Sequence, residues 1–307
     1  MSFRKIVDGF LFESIGKSNE YDAIVIEQGV FRQPPVHSLK EIIDYINEHK
    51  LEKCYITAEN INFIDSCPSL KSFSIGGFYN QDFDYSPLYR RPVIEYLNCA
   101  AVCEPSWNYK PVNNPIDFSK FGNIKAFRVW GNGTKNLFSN ETTEEICTDE
   151  NNTFSDFKDA KAKNLLRLEC TCGGLKTLEG LSNFPNLEKL NLYYQYGLKS
   201  IDALKEVSGS LKQFILEGCG RVKDFSVLEK MHNLEYLFLC NRNGTIDNLK
   251  FLNNMPNLKW FVLYLNCLDG DLTPCKRIPY VYVKNRRHYN VKDEELSKDK
   301  SVPKPWV

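Results

Sequence analysis

NLEKLNL, at residues 186–192, is one of six similar stretches in the C-terminal half of this 307-residue chain. The others are NLLRLEC at 164–170, SLKQFIL at 210–216, NLEYLFL at 233–239, NLKWFVL at 257–263 and RIPYVYV at 277–283. If the first apolar residue of each stretch is position 1, apolar side chains occupy positions 1, 4 and 6, and successive stretches start 22, 24, 23, 24 and 20 residues apart. A fixed period of this length predicts a solenoid of stacked turns, in which each turn contacts only its neighbours.

Weaker copies of the same pattern occur in the N-terminal half. They begin at Tyr21, Leu51, Leu70, Ile94 and Ile124, with less regular steps of 30, 19, 24, 30 and finally 41 residues. Together with the six regular stretches they predict eleven turns.

Apolar residues at three-residue spacing precede the next stretch in each regular repeat, as at Leu175, Leu178 and Leu181. This spacing is typical of a helical or 3₁₀ segment, so each turn is predicted to be a strand followed by a short helical return. Residues 38–50 (SLKEIIDYINEHK) predict a fuller helix that begins with a capping box of Ser38 and Glu41.

The spacing L-x-x-L-x-x-L-x-x-F-P-N-L-x-x-L-x-L over residues 175–192 resembles the leucine-rich repeat family, in its short bacterial, internalin-like class. The resemblance implies an α/β repeat solenoid: a curved horseshoe with a parallel β-sheet on its concave face and short helical or 3₁₀ returns on its convex face. The family's strand-end asparagine matches Asn132 and Asn266, but the equivalent residues elsewhere are Gln195, Cys219 and Arg242.

The predicted domain organisation is one solenoid over residues 1–283, with ten to eleven turns, an N-terminal cap over about residues 1–20 and irregular spacing before residue 164. Residues 284–307 form a charged C-terminal tail that protects the edge of the last strand. Two long steps, at 78–92 and 131–163, are interpreted either as insertions that flank a binding face or as ordered padding or an extra degenerate turn.

Composition argues against several classes of function without excluding them. Lys+Arg and Asp+Glu number 39 each, so no overall field attracts nucleic acid or an anionic membrane. The chain contains no apolar run of signal-peptide or membrane-span length, which predicts a cytoplasmic protein without a secretion or anchoring segment. Eleven cysteines without regular spacing are interpreted as reduced, mostly buried thiols.

Alternation along a strand places positions 4 and 6 in the core and positions 3, 5 and 7 on the concave sheet. The concave positions change from small residues in early turns to charged residues in the middle and aromatic residues at the end. The candidate partner-binding residues are Arg128, Trp130, Arg167, Lys189, Tyr193, Tyr236, Phe238, Trp260, Tyr264, Tyr280 and Tyr282. The aromatic run has two interpretations that are compatible: rings that pack on one another, or an exposed patch typical of a protein-binding hot spot.

Catalytic and metal-binding motifs fail on spacing. Gly16-Lys17-Ser18 lacks the glycine that a phosphate-binding loop requires five residues earlier, and the closest cysteine pairs have no second pair or histidines nearby. We therefore predict no catalytic residue, no metal and no cofactor.

The leading hypothesis is a non-enzymatic module that binds another protein through its concave aromatic face. The Lys-, Asn- and Ile-rich composition is typical of bacteria, and a family member without a signal resembles immunity proteins that neutralise toxin domains. Alternatives are an adaptor or regulatory subunit that recruits or inhibits an enzyme, a self-associating structural protein, and an enzyme whose site lies in the irregular turns. The leading hypothesis predicts a monomer that binds neither nucleic acid nor membrane.

Overall fold

The computed structural model describes residues 4–15, 20–27, 37–76, 82–99, 113–130, 133–149 and 154–304, apart from the side chains of Trp130 and Asp149. The chain divides into two compact units, Met1–Cys147 (unit 1) and Thr148–Val307 (unit 2). Each unit consists of a sheet of mainly parallel strands, with successive strands joined by short returns.

The strands of unit 1 are β1 (Lys5–Val7), β2 (Phe10–Glu13), β3 (Ala23–Glu27), β4 (Lys53–Thr57), β5 (Ser72–Ile75), β6 (Ile94–Cys99), β7 (Ile116–Asp117), β8 (Ile124–Trp130), β9 (Thr134–Lys135) and β10 (Glu145–Asp149), within which the unit boundary falls. Helices α1 (Leu39–His49) and α2 (Ser86–Tyr89) and 3₁₀ segments at Asn62–Ser66 and Phe118–Lys120 form returns. The predicted helix after Ser38 is confirmed, including its capping box with Glu41.

A β-hairpin covers the N-terminal edge of this sheet. Asp8 and Gly9 connect β1 to β2 with positive φ angles of 52° and 86°, the conformation that a tight two-residue hairpin turn requires. Strand β2 then pairs antiparallel with β3. The hairpin therefore separates the parallel strands from a free edge on that side.

The 41-residue step between the stretches at Ile124 and Leu165 contains an additional turn. Strand β10 lies within it, and the residues at the repeat positions 1, 4 and 6 are Thr143, Ile146 and Thr148, all buried. The Thr143 hydroxyl donates to the Ile124 carbonyl at 2.9 Å, which satisfies its polar group in the core. Of the two interpretations of residues 131–163, the extra degenerate turn is therefore the one observed.

The described part of the step at 78–92 is also packed rather than looped out. Phe83, Tyr85 and Leu88 are buried around α2. The Arg91 side chain is buried as well, and its guanidinium donates to the carbonyls of Cys67 at 2.9 Å and Leu70 at 2.6 Å. This segment acts as a return that is held to the preceding turn by backbone acceptors.

The strands of unit 2 are β11 (Arg167–Thr171), β12 (Lys189–Tyr193), β13 (Gln213–Glu217), β14 (Tyr236–Cys240), β15 (Thr245–Ile246), β16 (Trp260–Leu263), β17 (Asn266–Cys267) and β18 (Tyr280–Val283). The 3₁₀ returns are Leu181–Asn183, Asp202–Val207, Ser226–Lys230, Lys250–Asn254 and Thr273–Arg277, followed by a last 3₁₀ segment at Asp293–Glu295. The predicted alternation of strand and short helical return is confirmed.

Strands β11, β12, β13, β14, β16 and β18 pair in parallel and in register, so equivalent repeat positions lie side by side. Residues at positions 1, 4 and 6 are buried, and so are the apolar triplets of the returns. The core of unit 2 therefore lies between one face of the sheet and the returns. We call the opposite face, which carries positions 3, 5 and 7, the open face.

Gln195 and Cys219, two of the residues at the strand-end position where the sequence pattern led us to expect asparagine, contact backbone carbonyls. The Gln195 amide donates to the carbonyls of Cys170 at 3.1 Å and Tyr193 at 3.0 Å. One turn later, the Cys219 thiol lies 3.8 Å from the Leu192 carbonyl. Both side chains are buried, and each hydrogen-bonds a backbone carbonyl of the preceding turn, so polar contacts link neighbouring turns within the core.

Residues 284–304, described from the sequence as a charged tail, cover the outer edge of β18. The Val281 amide donates to the Ser297 carbonyl at 2.9 Å, and the Asp299 amide donates to the Pro279 carbonyl at 3.0 Å. Tyr289, together with Val291 and Leu296, is buried against the last turn. Backbone pairing and apolar burial together remove the free strand edge.

The Tyr289 hydroxyl connects this segment to the solenoid because it accepts a hydrogen bond from the Cys267 amide at 3.0 Å. Replacing Tyr289 with Phe leaves that buried amide without its acceptor, so we expect a loss of about 1–3 kcal/mol in the free energy of unfolding. Urea denaturation measures this loss. The matched change at the exposed Tyr196, Tyr196→Phe, should stay within about 0.5 kcal/mol. Equal effects of the two substitutions would contradict the role assigned to Tyr289.

Candidate functional site

The open face of unit 2 consists of three rows of side chains, because the strands are in register. The first row holds position 3 of each turn: Arg167, Lys189, Gln213, Tyr236, Trp260 and Tyr280. The second holds position 5: Glu169, Asn191, Ile215, Phe238, Val262 and Tyr282. The third holds position 7, at or just after the strand ends: Thr171, Tyr193, Glu217, Cys240, Tyr264 and Lys284.

The β11–β13 end of the open face is a polar network. Arg167 forms a half-buried salt bridge of 2.8 Å with Glu169 of the same strand. The Asn191 amide donates to Glu169 at 3.3 Å, and the Gln213 amide donates to the Asn191 side-chain oxygen at 2.8 Å. Arg167, which the sequence suggested as a partner contact, is thus engaged within the sheet, whereas its neighbour Lys189 is half-buried at the edge of the network.

The β14–β18 end of the open face is aromatic, and Trp260 is its packed centre. The Trp260 ring stacks on Tyr280 with 3.6 Å between centroids and 15° between planes. Trp260 is only 5% exposed. Of the two interpretations of the aromatic run, mutual packing therefore describes Trp260.

The other aromatic residues of this end keep part of their surface exposed. Tyr236, Phe238, Tyr264, Tyr280 and Tyr282 are all half-buried. Their rings support one another: Phe238 lies 6.1 Å from Tyr264, and Tyr264 lies 5.2 Å from Tyr282. The result is a patch of five partly accessible aromatic side chains on one sheet, of which Phe238, Tyr264, Tyr280 and Tyr282 contact another ring.

The C-terminal segment borders this patch with a cation. Lys298 lies 6.0 Å from the ring centroid of Tyr280 and 5.8 Å from that of Tyr282, and its ammonium pairs with Asp293 at 2.7 Å. A charged rim beside an aromatic centre is the usual composition of a protein-binding surface.

The two remaining sequence candidates belong to unit 1. Arg128 is exposed on β8, and Trp130 ends that strand with a side chain outside the described residues. The structure therefore brings Tyr193, Tyr236, Phe238, Trp260, Tyr264, Tyr280 and Tyr282 together with Arg167 and Lys189 on one face of unit 2.

Sequence reasoning missed two exposed tyrosines at the end of β12. Tyr194 directly follows Tyr193, and Tyr196, which lies two residues further along the chain, is 63% exposed. Tyr194 has a positive φ of 54°, which is rare for an aromatic residue. The sequence YYQY at 193–196 is the signal that could have found them, because tyrosines in a turn are typical of binding surfaces.

The described residues contain no group of three or more His, Cys, Asp or Glu side chains suited to hold a metal ion. A shallow cavity of about 460 Å³ lies between two returns, Ser226–Lys230 and Lys250–Asn254, and its lining includes Asp224 and Asp247. The Asp224 carboxylate accepts a hydrogen bond from the Ser226 amide at 2.8 Å, which lowers the pKa of the Asp224 carboxyl group and gives it a local turn-capping role.

No helix in the described part of the chain is long and apolar enough to cross a bilayer.

The strand-and-return turns of both units are those of a leucine-rich repeat solenoid. Among solved structures, the chain is similar to an internalin, InlF, from Listeria monocytogenes, with 13% sequence identity and a TM-score of 0.43. The similarity covers 82% of this chain and 68% of the internalin chain. No protein-family model matches the chain, and no curated protein sequence is significantly similar to it.

Trp260→Ala should destabilise the protein far more than a truncation of its half-buried neighbours. Removing a buried tryptophan costs about 3–5 kcal/mol in the free energy of unfolding, whereas Tyr236→Ala should cost about 1 kcal/mol. Urea denaturation of both variants checks this difference. A small and equal effect would show that Trp260 is not the packed centre of the aromatic rows.

Stability should fall at alkaline pH because of buried thiols. Burial raises the pKa of Cys275 to about 12 and that of Cys219 to about 11. Unfolded thiols ionise near pH 8.5, so between about pH 8.5 and the folded pKa each thiol lowers the free energy of unfolding by about 1.4 kcal/mol per pH unit. Below that window the contribution to stability is fully present.

Urea denaturation at several pH values measures this slope, and Cys275→Ala should remove one thiol's share of it. An identical alkaline slope in the wild type and Cys275→Ala would contradict the assignment.

Proposed function

We propose that this protein is a non-enzymatic binding module that engages another protein through the open face of unit 2. The observation that carries the proposal is the patch of Tyr236, Phe238, Tyr264, Tyr280 and Tyr282, whose rings are partly accessible and, except for Tyr236, contact a neighbouring ring. Tyrosine-rich patches with a charged rim are typical of binding hot spots.

The arrangement of the sheet supports the same proposal. Parallel sheets are usually covered on both faces, whereas in unit 2 the apolar residues of the returns are buried with positions 4 and 6, and on the open face five aromatic side chains keep part of their surface exposed. The strands of the open face are hydrogen-bonded to one another, and several of its rings already contact neighbouring rings before a partner binds. Binding then orders few side chains, which lowers the entropic cost of association.

Catalysis has less support in the geometry. The open face carries no histidine, its Arg167 and Glu169 are paired with each other, and the buried thiols described above are protonated at neutral pH. A thiol must ionise to act as a nucleophile. These features favour binding over chemistry.

For the finer role we propose toxin neutralisation in a bacterial cytoplasm, by analogy with the leucine-rich repeat immunity proteins that the sequence resembles. An immunity role requires a gene for the toxin next to the gene for this protein. An adaptor or regulatory subunit requires no such neighbour, so inspection of the genomic locus distinguishes the two roles. A locus without a toxin gene would contradict neutralisation but not protein binding.

The double substitution Tyr236→Ala/Tyr282→Ala should abolish binding of the native partner. Each hot-spot truncation costs about 2 kcal/mol of binding energy, so the Kd should rise by about 100-fold or more. The partner is recovered by co-purification from the source organism, and its affinity is then measured by calorimetry with purified components. Because both residues are half-buried, the fold should survive, which circular dichroism checks.

The matched control is Tyr21→Ala, which removes an exposed tyrosine of unit 1 and should leave the Kd unchanged. Unchanged affinity in the double variant would overturn the proposed binding face. A wild-type protein that sediments as a dimer, and becomes a monomer in the double variant, would assign the face to self-association instead.

A further inference from the structure

Glu217 is the one carboxylate in the third row of the open face. It ends β13, where it pairs in register with Tyr193 on one side and Cys240 on the other. Beyond Cys240 the row continues with Tyr264, whose amide donates to the Leu239 carbonyl at 2.9 Å. A half-buried negative charge therefore lies within a row of tyrosines.

The Glu217 carboxylate is not neutralised by a cation. Among the residues that the structure describes it forms no salt bridge, and its one hydrogen-bond partner is the Tyr194 hydroxyl at 3.1 Å. Lys284 lies at the end of the same row, on the far side of Tyr264, and is exposed. Holding a partly buried carboxylate without a cation costs free energy unless a partner supplies the charge.

Tyr194 is held beside this carboxylate by a strained backbone. Its φ of 54° lies in the left-handed region, and its amide donates to the Glu217 carbonyl at 2.7 Å. The ring lies over Gly218, where a Cβ atom would come within 2.4 Å of it. A glycine, a rare conformation and a hydrogen bond thus combine to hold the Tyr194 hydroxyl against the Glu217 carboxylate, and such strain tends to occur at binding sites.

Cys240 leaves room next to Glu217. Its side chain is small and lies between the long side chains of Glu217 and Tyr264 in the row. The Glu217 charge is the main cause of the raised pKa of Tyr194, whereas the pKa of Tyr264 is raised chiefly by burial, to which the Glu217 charge adds. Glu217 is half-buried and keeps part of its surface exposed, with Tyr193 on one neighbouring strand and the small Cys240 on the other.

We propose that Glu217, with Tyr193, Tyr194 and Tyr264 around it, binds an arginine or lysine side chain of the protein partner. The inference rests on the proposed function and names the chemistry that the third row recognises. A carboxylate pairs with a guanidinium or ammonium group, and tyrosine rings attract the same cation through their faces. An acidic or neutral side chain would leave Glu217 repelled or unpaired.

The test uses short peptides as probes of the full-length protein. Acetyl-Gly-Arg-Gly-amide and acetyl-Gly-Lys-Gly-amide are titrated into ¹⁵N-labelled protein, and shifts of the amides of Tyr194, Glu217 and Gly218 are followed by NMR. The neutral isostere with citrulline in place of arginine is the matched peptide. We expect a localised response to a cationic peptide, at least about tenfold weaker for citrulline.

Glu217→Gln keeps the shape of the side chain and an acceptor for the Tyr194 hydroxyl but removes the negative charge. It should therefore weaken the binding of the cationic peptide by about tenfold. Glu229→Gln, an exposed carboxylate on the return at Ser226–Lys230, should leave the peptide response unchanged. Equal responses to arginine and citrulline, no response to either cationic peptide, or full binding by Glu217→Gln would each overturn the inference.

The outcomes that contradict a cation site at Glu217 differ from those that contradict protein binding by the open face. If the peptides do not bind at Glu217 but Tyr236→Ala/Tyr282→Ala still abolishes partner binding, the open face remains a protein-binding surface and only the cation site is wrong. Binding of tetramethylammonium without binding of either peptide would also contradict the inference, since a small quaternary amine would then be the occupant.

Discussion

In-register parallel pairing of the strands in unit 2 is the constraint on which its other features depend. Because β11, β12, β13, β14, β16 and β18 share one register, residues with the same repeat position lie about 4.8 Å apart in continuous rows. The rows at positions 4 and 6 are buried and hold the turns together. The rows at positions 3, 5 and 7 bring side chains into contact that are 20 or more residues apart in the chain.

The same constraint governs charge at position 2, just before the strands. Lys212 pairs with Glu188 at 2.7 Å and Lys259 pairs with Glu235 at 2.6 Å. Opposite charges alternate from turn to turn, because like charges in register would repel. Each exposed pair contributes little to stability, so its main effect is to favour one register over others.

Much of this organisation could be predicted from the sequence, because positions 4 and 6 are almost always apolar. The turn at β10 could be predicted only as one of several interpretations, because Thr143 and Thr148 take core positions and donate their hydroxyls to the backbone. The burial of Trp260 could not be predicted. The alternation of side chains along a strand assigns Trp260 to the open face, but it does not show that the Tyr280 ring stacks on it. The strained Tyr194 and its contact with Glu217 depend on a φ angle that no apolar pattern records.

Along the open face, polar side chains that bond to one another at β11–β13 give way to aromatic side chains at β14–β18. Glu217 and the tyrosines near it lie along one margin of this face. Hydroxyl-radical footprinting of the protein with and without its purified partner tests the use of this face most directly. Protection of Tyr193, Tyr236 and Tyr282, with no change at exposed Leu268 and Tyr21, is the predicted result. Protection of Leu268 or Tyr21 with the open face still reactive would contradict it.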